Sequence, residues 1–169
     1  MSQQVHLICG LPGAGKTTYA ERLRLDLKGV RFSIDDWNDR LFFMDRDPTS
    51  DFHWFYERVQ RCCNQMRDTA TQVIATGNPA IFDCGLTNQQ ERQIFYDWAD
   101  DQGYITALHF IDVDEETRWQ RVQNRNQQRG ETYKIEVTRD MFDFMQNLWQ
   151  APSDAECLPR SVDLIVTDG

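Results

Sequence analysis

Long apolar runs are what this sequence most lacks. No stretch approaches the roughly 18 residues needed to span a bilayer. The start, MSQQVHLICG, shows neither the basic region nor the apolar segment of a signal peptide. Cysteine is sparse and odd in number: Cys9, Cys62, Cys63, Cys84 and Cys157, with no Cys-x-x-Cys spacing. That argues against a disulfide framework or a zinc site, and for small, partly buried thiols in a reducing cytoplasm. Positive charge is also short, with 18 Lys and Arg against 27 Asp and Glu, a net of −9. A duplex-binding surface carries a basic footprint, so the acidic total speaks against a long nucleic-acid partner without forbidding a local basic groove. The three histidines, His6, His53 and His109, are scattered, and His6 and His109 fall in strand patterns that favour structural roles. Repeats, low-complexity tracts and linkers are missing too. At 169 residues, 40% apolar and 27% charged, the expectation is one domain over 1–169, able to bury a core and existing as monomer or dimer.

What is present is an alternation of short apolar runs with longer helical patterns. Strands are expected at Val5–Cys9, Val30–Ser33, Ala80–Phe82 with Asp83, Thr106–Asp112 and Leu164–Thr167. Between them, helices are expected from Thr17 to about Leu27, Phe52 to Thr76, Thr87 to about Gln102, Glu115 to about Gln127, and Glu136 to Trp149. A short helix is expected to start near Trp37, and 45–51 (DRDPTSD) is a turn-rich connection. The last long helix should present Met141, Phe144, Met145 and Leu148 on one face. Trp54, Phe55, Val59, Cys62 and Met66 should be core rather than a platform for a substrate. Strands alternating with helices imply a parallel sheet covered on both faces, with a ligand at the carboxyl ends of the strands.

The sharpest motif follows the first strand at once: Gly10-Leu11-Pro12-Gly13-Ala14-Gly15-Lys16-Thr17, a full G-x-x-x-x-G-K-T pattern. Glycines let successive backbone N–H groups turn toward one anion with no side chain in the way. The helix that opens near Lys16 adds its positive end. Lys16 brings charge to the outer phosphates of a nucleotide, and the Thr17 hydroxyl suits Mg²⁺. Four fixed positions arise by chance in roughly one chain in a hundred of this length, and the correct strand before and helix after cut that further.

Other polar residues close the strands. Asp83 should lie beside the loop, where a carboxylate can hold the hydration shell of Mg²⁺ or orient a nucleophile. Asp112 ends the next strand similarly, with a helix cap as its competing role. Asp35 follows the second strand, where a general base could take the proton of an acceptor hydroxyl; Asp36 competes for that role, and a helix cap competes with both. Arg118, Arg121, Arg125 and Arg129, spaced three, four and four apart, form one helical stripe. It is either a solvated, acid-paired face or, since Gly130 and a polar loop follow, a closing lid that brings guanidinium groups to phosphate.

GLPGAGKTT at 10–18, SIDD at 33–36 and RNQQRG at 125–130 together resemble the small P-loop kinases. That group includes the 5′-kinase domain of polynucleotide kinases, chloramphenicol phosphotransferase and zeta-type toxins, often gathered as AAA-like kinases. IFDCGLTNQQER at 81–92, with Arg92 on its helix, resembles a further element of the group, and the similarity runs over about 5–150. The resemblance implies a P-loop NTPase fold: an α/β three-layer αβα sandwich with a five-stranded parallel sheet of nucleotide-kinase type and a helical lid. It implies ATP as the nucleotide, where the residues themselves do not separate adenine from guanine. The loop from Gly10, Leu11, Pro12, Gly13, Ala14 and Gly15 through Lys16, Thr17 and Thr18 would bind it, with Arg125 and Arg129 as lid arginines. Thr17 and Asp83 would serve Mg²⁺. Lys16, Asp35 and Arg129 would carry the catalysis, Asp35 matching the position that activates the acceptor hydroxyl.

This sequence departs from the polynucleotide kinases three residues after that aspartate, where Asn38 stands in place of an arginine that grips the acceptor's phosphate. With the acidic charge, this favours a kinase that moves the γ-phosphate of ATP to a small hydroxylated molecule. The alternatives are a polynucleotide 5′-hydroxyl kinase, for which Arg22, Arg24, Lys28 and Arg31 would have to build a groove, and an ATPase switch with no acceptor. A degenerate nucleotide-binding protein is at odds with the intact Lys16, Thr17 and Asp83.

Overall fold

Five apolar segments become five strands, all parallel. The computed structural model describes residues 4–47, 52–130, 136–158 and 160–166. The strands are β1 (Val5–Cys9), β2 (Val30–Ser33), β3 (Ala80–Asp83), β4 (Thr106–Asp112) and β5 (Ser161–Val166), in the spatial order β2-β3-β1-β4-β5. Central β1 is buried along its whole length, as a strand covered on both faces must be. Its register sets Ile8 beside Asp83, while Ser33 of β2 lies beside Asp83 on the other flank. The carboxyl ends of β1, β2 and β3 therefore arrive at one edge of the sheet.

Alternation along the strands decides which side chains meet which helices. Ile8, Ile81 and Ile111 project to the face covered by α1 (Lys16–Leu27), where they pack with Ala14, Ala20 and Val113. Leu7, Cys9, Phe32, Phe82 and Leu108 project to the other face, beneath α3 (Phe52–Ala75) and α4 (Gln89–Asp101). Phe82 is its aromatic centre, stacked on Phe32 at 5.3 Å and meeting Phe95 edge-on at 4.9 Å. The remaining helices are α2 (Ile34–Phe42), α5 (Glu115–Gln128), α6 (Arg139–Leu148) and a single turn, α7 (Asp154–Cys157). This is the three-layer αβα arrangement expected of a P-loop protein.

Several boundaries differ from those the sequence suggests, each for a local reason. α2 begins at Ile34 rather than near Trp37, because the Ser33 hydroxyl accepts the Asp36 N–H and closes the first turn there. Neither Asp35 nor Asp36 is the cap. α6 starts at Arg139, capped by Thr138, and β5 begins three residues earlier than expected, at Ser161. α6 buries Phe142, against Trp119 at 5.2 Å, while Met141, Phe144 and Leu148 stay exposed. The helix is anchored by one aromatic ring, so its expected apolar face is not its buried one. α7 was not legible in the sequence. It carries Glu156, whose oxygens accept from Arg92 Nε at 2.6 Å and Nη2 at 3.0 Å and from the Tyr96 hydroxyl at 3.0 Å. This buried pair ties the chain's last segment to α4. The expected turn at 48–51, the polar loop at 131–135 and Thr167 lie outside the described residues.

Both strand histidines are buried, between the sheet and α1. His6 Nδ1 and His109 Nε2 lie 2.9 Å apart, and His109 Nδ1 meets the Tyr19 hydroxyl at 2.9 Å. Burial pushes the His109 pKa down, against the nearby Asp163 carboxylate.

Candidate functional site: a phosphate loop opening into a long cleft

Between β1 and α1 the chain turns through Gly10, Gly13 and Gly15, all at positive φ. At Gly13 (φ +81°) a Cβ would lie 2.4 Å from the Arg118 carbonyl oxygen, so no other residue fits the packed side of the turn. At Gly15 (φ +97°) the added Cβ would meet no protein atom nearer than Arg121 Nη1 at 3.9 Å. The loop is thus pressed against α5 on one side and open on the other. A phosphate group fits the open side, where backbone N–H groups and the amino end of α1 converge.

The open side faces a cleft of about 570 Å³, a size suited to small ligands. Gly10, Pro12, Gly13, Gly15, Lys16, Thr17 and Thr18 line one end of it. Asp35 and Asp83 stand beside them, and the cavity continues between α3 and α4 past Phe55, Val59, Cys63 and Phe95. The sheet edge has brought together Lys16 and Thr17 of α1, Asp35 of α2 and Asp83 of β3, from three separate elements. Lys16 Nζ donates to the Leu11 carbonyl at 3.0 Å, which holds the ammonium across the loop's mouth.

Asp35 and Lys16 titrate abnormally for one reason. Each remains reachable by water at the cleft wall, but the surrounding protein displaces most of the solvent. That desolvation raises the Asp35 pKa; Lys16 and Arg125 oppose it, and the carboxylates of Asp83 and Asp36 add to it. The same desolvation lowers the Lys16 pKa, against the pull of Asp83 and Asp35. Both groups are thus shifted toward their uncharged forms, as ionisable groups in a desolvated cleft are.

Asp36 is placed differently. Arg31 Nη1 lies 3.4 Å from its Oδ2, and it does not line the cleft. Arg31 also grips Asp83, donating from Nε at 3.2 Å and Nη2 at 3.0 Å to Oδ2. Arg31, expected as groove material if a polynucleotide were bound, is instead a fixed counter-charge behind the site. A charged residue in the middle of a strand (VRFS) was the signal for it. Arg24 pairs with Glu21 and Arg22 with Asp26, so three of the four cations considered for a nucleic-acid groove are matched by carboxylates.

The arginine stripe of α5 divides into three. Arg118 is buried, and it holds the loop rather than closing over it: Nε donates to Val113 O at 3.0 Å, Nη1 to Pro12 O at 3.4 Å and Nη2 to Gln146 Oε1 at 2.7 Å. Arg121 Nη1 reaches Gly13 O and Ala14 O at 3.5 and 3.3 Å. Arg125 lines the cleft, and among the described residues its buried Nε has no hydrogen-bond partner, an orphan donor of the kind a phosphate oxygen satisfies. Arg129 is exposed at the end of α5 with φ +47°, outside the lining of the cleft.

The α3 residues expected in the core also divide. Cys62 and Met66 are buried there, whereas Phe55 and Val59 line the cleft. The adjacent cysteines point apart: Cys62 Sγ lies 3.9 Å from Asn38 Oδ1, while Cys63 lines the cleft with Cys84. Asp112 borders a small recess with Leu11 and Trp149. Arg92 is fully buried against Glu156, a structural clamp. Among the described residues no group of three His, Cys, Asp or Glu could hold a metal alone. Thr17 and Asp83 in one cleft with a phosphate loop do fit Mg²⁺, which takes one or two protein oxygens and completes its shell with substrate phosphates and water. No helix among the described residues is long and apolar enough to cross a membrane.

Comparison with known proteins agrees with this geometry. Among solved structures, Kti12 of Chaetomium thermophilum, crystallised with ADP-AlF3, superposes with TM-score 0.73 at 15% identity, over 97% of this chain and 89% of its own. A sugar kinase from Janibacter superposes with TM-score 0.65 at 13% identity, over 98% and 86%. The APS kinase CysC of Mycobacterium tuberculosis, in complex with AMPPNP and APS, gives TM-score 0.63 at 14% identity, over 99% and 90%. At these identities the likeness is one of fold. A search of curated proteins returns no match. The model of the AAA domain family matches residues 5–152, from the first strand through the last long helix. The chain therefore belongs to the AAA domain family.

Proposed function

We propose that this protein is an ATP-dependent kinase that moves the γ-phosphate of ATP to a hydroxyl of a small molecule. The observation that carries the reading is the continuity of one cleft. It begins at the phosphate loop, passes Asp35 and runs on between α3 and α4, where an acceptor can lie in line with the outer phosphate.

In this reading the open side of the loop takes the phosphates, and Lys16 turns from the Leu11 carbonyl to the outer ones. Arg125 offers its orphan Nε to phosphate oxygen. Bound phosphate raises the Lys16 pKa toward its ordinary value, which keeps the ammonium charged. Asp35 accepts the acceptor hydroxyl's proton as oxygen bonds to the γ-phosphorus; the bond from that phosphorus to the bridging oxygen breaks, and ADP leaves. Thr17 and Asp83 would hold Mg²⁺, which when bound supplies charge neutralisation across the outer phosphates. Arg129 joins the site only if its end of α5 moves inward, so Arg125 is the better-placed arginine.

The acidic composition and the matched Arg22, Arg24 and Arg31 support a small acceptor over a polynucleotide. A screen with γ-labelled ATP against hydroxylated metabolites, antibiotics, nucleotide sugars and 5′-hydroxyl oligonucleotides tests the proposal. Label should move to a small alcohol in the wild type, Lys16→Ala should bind and turn over no ATP, and Asp35→Asn should bind ATP without transfer. ATP hydrolysis that no acceptor accelerates would overturn it in favour of a switch.

A further inference from the structure

Four cations line the cleft: Lys16, Arg121, Arg125 and Arg67. The first three lie at the loop end, where Lys16 and Arg121 bond to loop carbonyls and Arg125 sits close enough to shift both Lys16 and Asp35. Arg67 is on α3, two helical turns beyond Val59, in the part of the cleft away from the loop. Its Nη2 donates to Asn64 Oδ1 at 2.6 Å and its guanidinium lies 5.1 Å from the centre of the Phe95 ring. It is half-buried, and desolvation lowers its pKa. Among the described residues no carboxylate comes within ion-pair distance of it. Arg31 and Arg92 meet the carboxylates of Asp83 and Glu156 and Arg118 bonds to two carbonyls and Gln146, whereas the hydrogen bond of Arg67 goes to the single neutral acceptor Asn64. A guanidinium held partly out of water without an anion is costly to the protein, and it is retained where a ligand completes it.

The walls between Asp35 and Arg67 are mainly apolar: Phe55, Tyr56, Val59, Leu86, Ile94 and Phe95. Asn38, on α2 facing this region, brings an amide and no charge. Among the described residues three carboxylates line the cleft: Asp83 pairs with Arg31, Glu91 accepts the Thr87 N–H at 2.8 Å, and Asp35 stands with Lys16 at the loop end. From this we infer that Arg67 is the specificity residue for the acceptor. It selects an alcohol whose apolar body fills the space between α3 and α4 and whose far end carries a single anionic group, carboxylate or phosphate. This rests on the phosphotransfer reading above and names the substrate class for that site.

A matched pair of rigid probes tests it: 4-(hydroxymethyl)benzoate and its neutral counterpart 1,4-benzenedimethanol. Each is titrated by calorimetry into the full chain loaded with the non-hydrolysable nucleotide AMPPNP. The anionic probe should bind at least about tenfold more tightly than the diol. Arg67→Gln should abolish that preference while leaving AMPPNP affinity within about twofold, and Arg67→Lys should restore part of it. Equal binding of the two probes, no binding of the benzoate, or an unchanged preference in Arg67→Gln would overturn the inference and leave the kinase reading standing. So would a 5′-hydroxyl oligothymidylate that binds more tightly than the benzoate. Failure of AMPPNP to bind the wild type would overturn both.

Discussion

Arg31 Nη2 lies 3.0 Å from Asp83 Oδ2, across the β2–β3 pair at the edge of the sheet where the cleft begins. Both side chains are largely withdrawn from solvent, at 15% and 5% exposure, so this contact decides how much negative charge Asp83 shows to a bound nucleotide. Arg31 and Ser33 share a sheet face with Asp83 because side chains alternate along both strands. Both guanidinium bonds go to one carboxylate oxygen of Asp83, Oδ2.

Removing Arg31 should therefore act twice. Arg31→Ala leaves a buried carboxylate uncompensated and should destabilise the fold by about 3 kcal/mol. It should also weaken Mg²⁺-nucleotide binding, because the freed Asp83 changes its orientation. Urea unfolding and nucleotide titration measure the two effects. Arg31→Ala combined with Asp83→Asn should recover most of the stability but not the binding.

Two of the loop's three glycines, Gly13 and Gly15, should respond differently to alanine. Gly13→Ala drives a Cβ to within 2.4 Å of the Arg118 carbonyl, so loop and α5 must part. The expected loss is about 2–3 kcal/mol of stability, together with nucleotide affinity. Gly15→Ala meets only open space at a strained φ. It should lose about 1 kcal/mol of stability while abolishing nucleotide binding, because the methyl group occupies the space for phosphate. Thermal melts with and without ATP separate the cases: ATP should raise the melting temperature of neither variant, and Gly13→Ala should melt lower.

The Arg92–Glu156 pair makes the C-terminal segment sensitive to acid. Burial acts to raise the Glu156 pKa, but the Arg92 guanidinium and the Tyr96 hydroxyl bond to its oxygens and hold it below the usual carboxylate value. A depressed carboxyl contributes stability that is present above its unfolded pKa, about 4.5, and is lost as pH falls through the lower folded value. Unfolding free energy measured from pH 7 downward should drop below about pH 4.5 in the wild type, and less steeply in Glu156→Gln. Arg92→Ala should cost about 3–5 kcal/mol at pH 7, since it strands a buried carboxylate. Tyr96→Phe should cost about 1 kcal/mol.

Asp35 works with the opposite sign. Its raised pKa means that the carboxylate form, the one able to take a proton, appears only above a pH higher than the ordinary carboxylate range. Transfer rates should rise through that elevated value on the acid side. Lys16, lowered by burial, sets a fall on the alkaline side of kcat/KM at a pH below the ordinary lysine value. Asp35→Asn should remove the acid limb with the activity. Because ionising a raised carboxyl in the folded state costs stability, that variant should be as stable as the wild type at pH 7, or more so, in a thermal melt. A clear drop in its melting temperature would contradict this account.

How much of this was legible along the chain depended on the range of the interactions. The phosphate loop was readable from the chain alone, since GLPGAGKT combines residue types whose backbone freedom and charge act locally, in the six residues between a strand and a helix and the first turn that follows. The strand segments were readable as well, because burial on both faces leaves near-continuous apolar runs such as VHLIC and AIFD. The pairings between distant residues came from packing. Arg31 meets Asp83 across 52 positions and Arg92 meets Glu156 across 64. The regular spacing on α5 could not say that Arg118 would turn inward to brace Pro12, that Arg125 would enter the cleft and that Arg129 would stay outside it. A helical period fixes the face a side chain shares, but the packing of that helix against the loop decides which end of the face is buried.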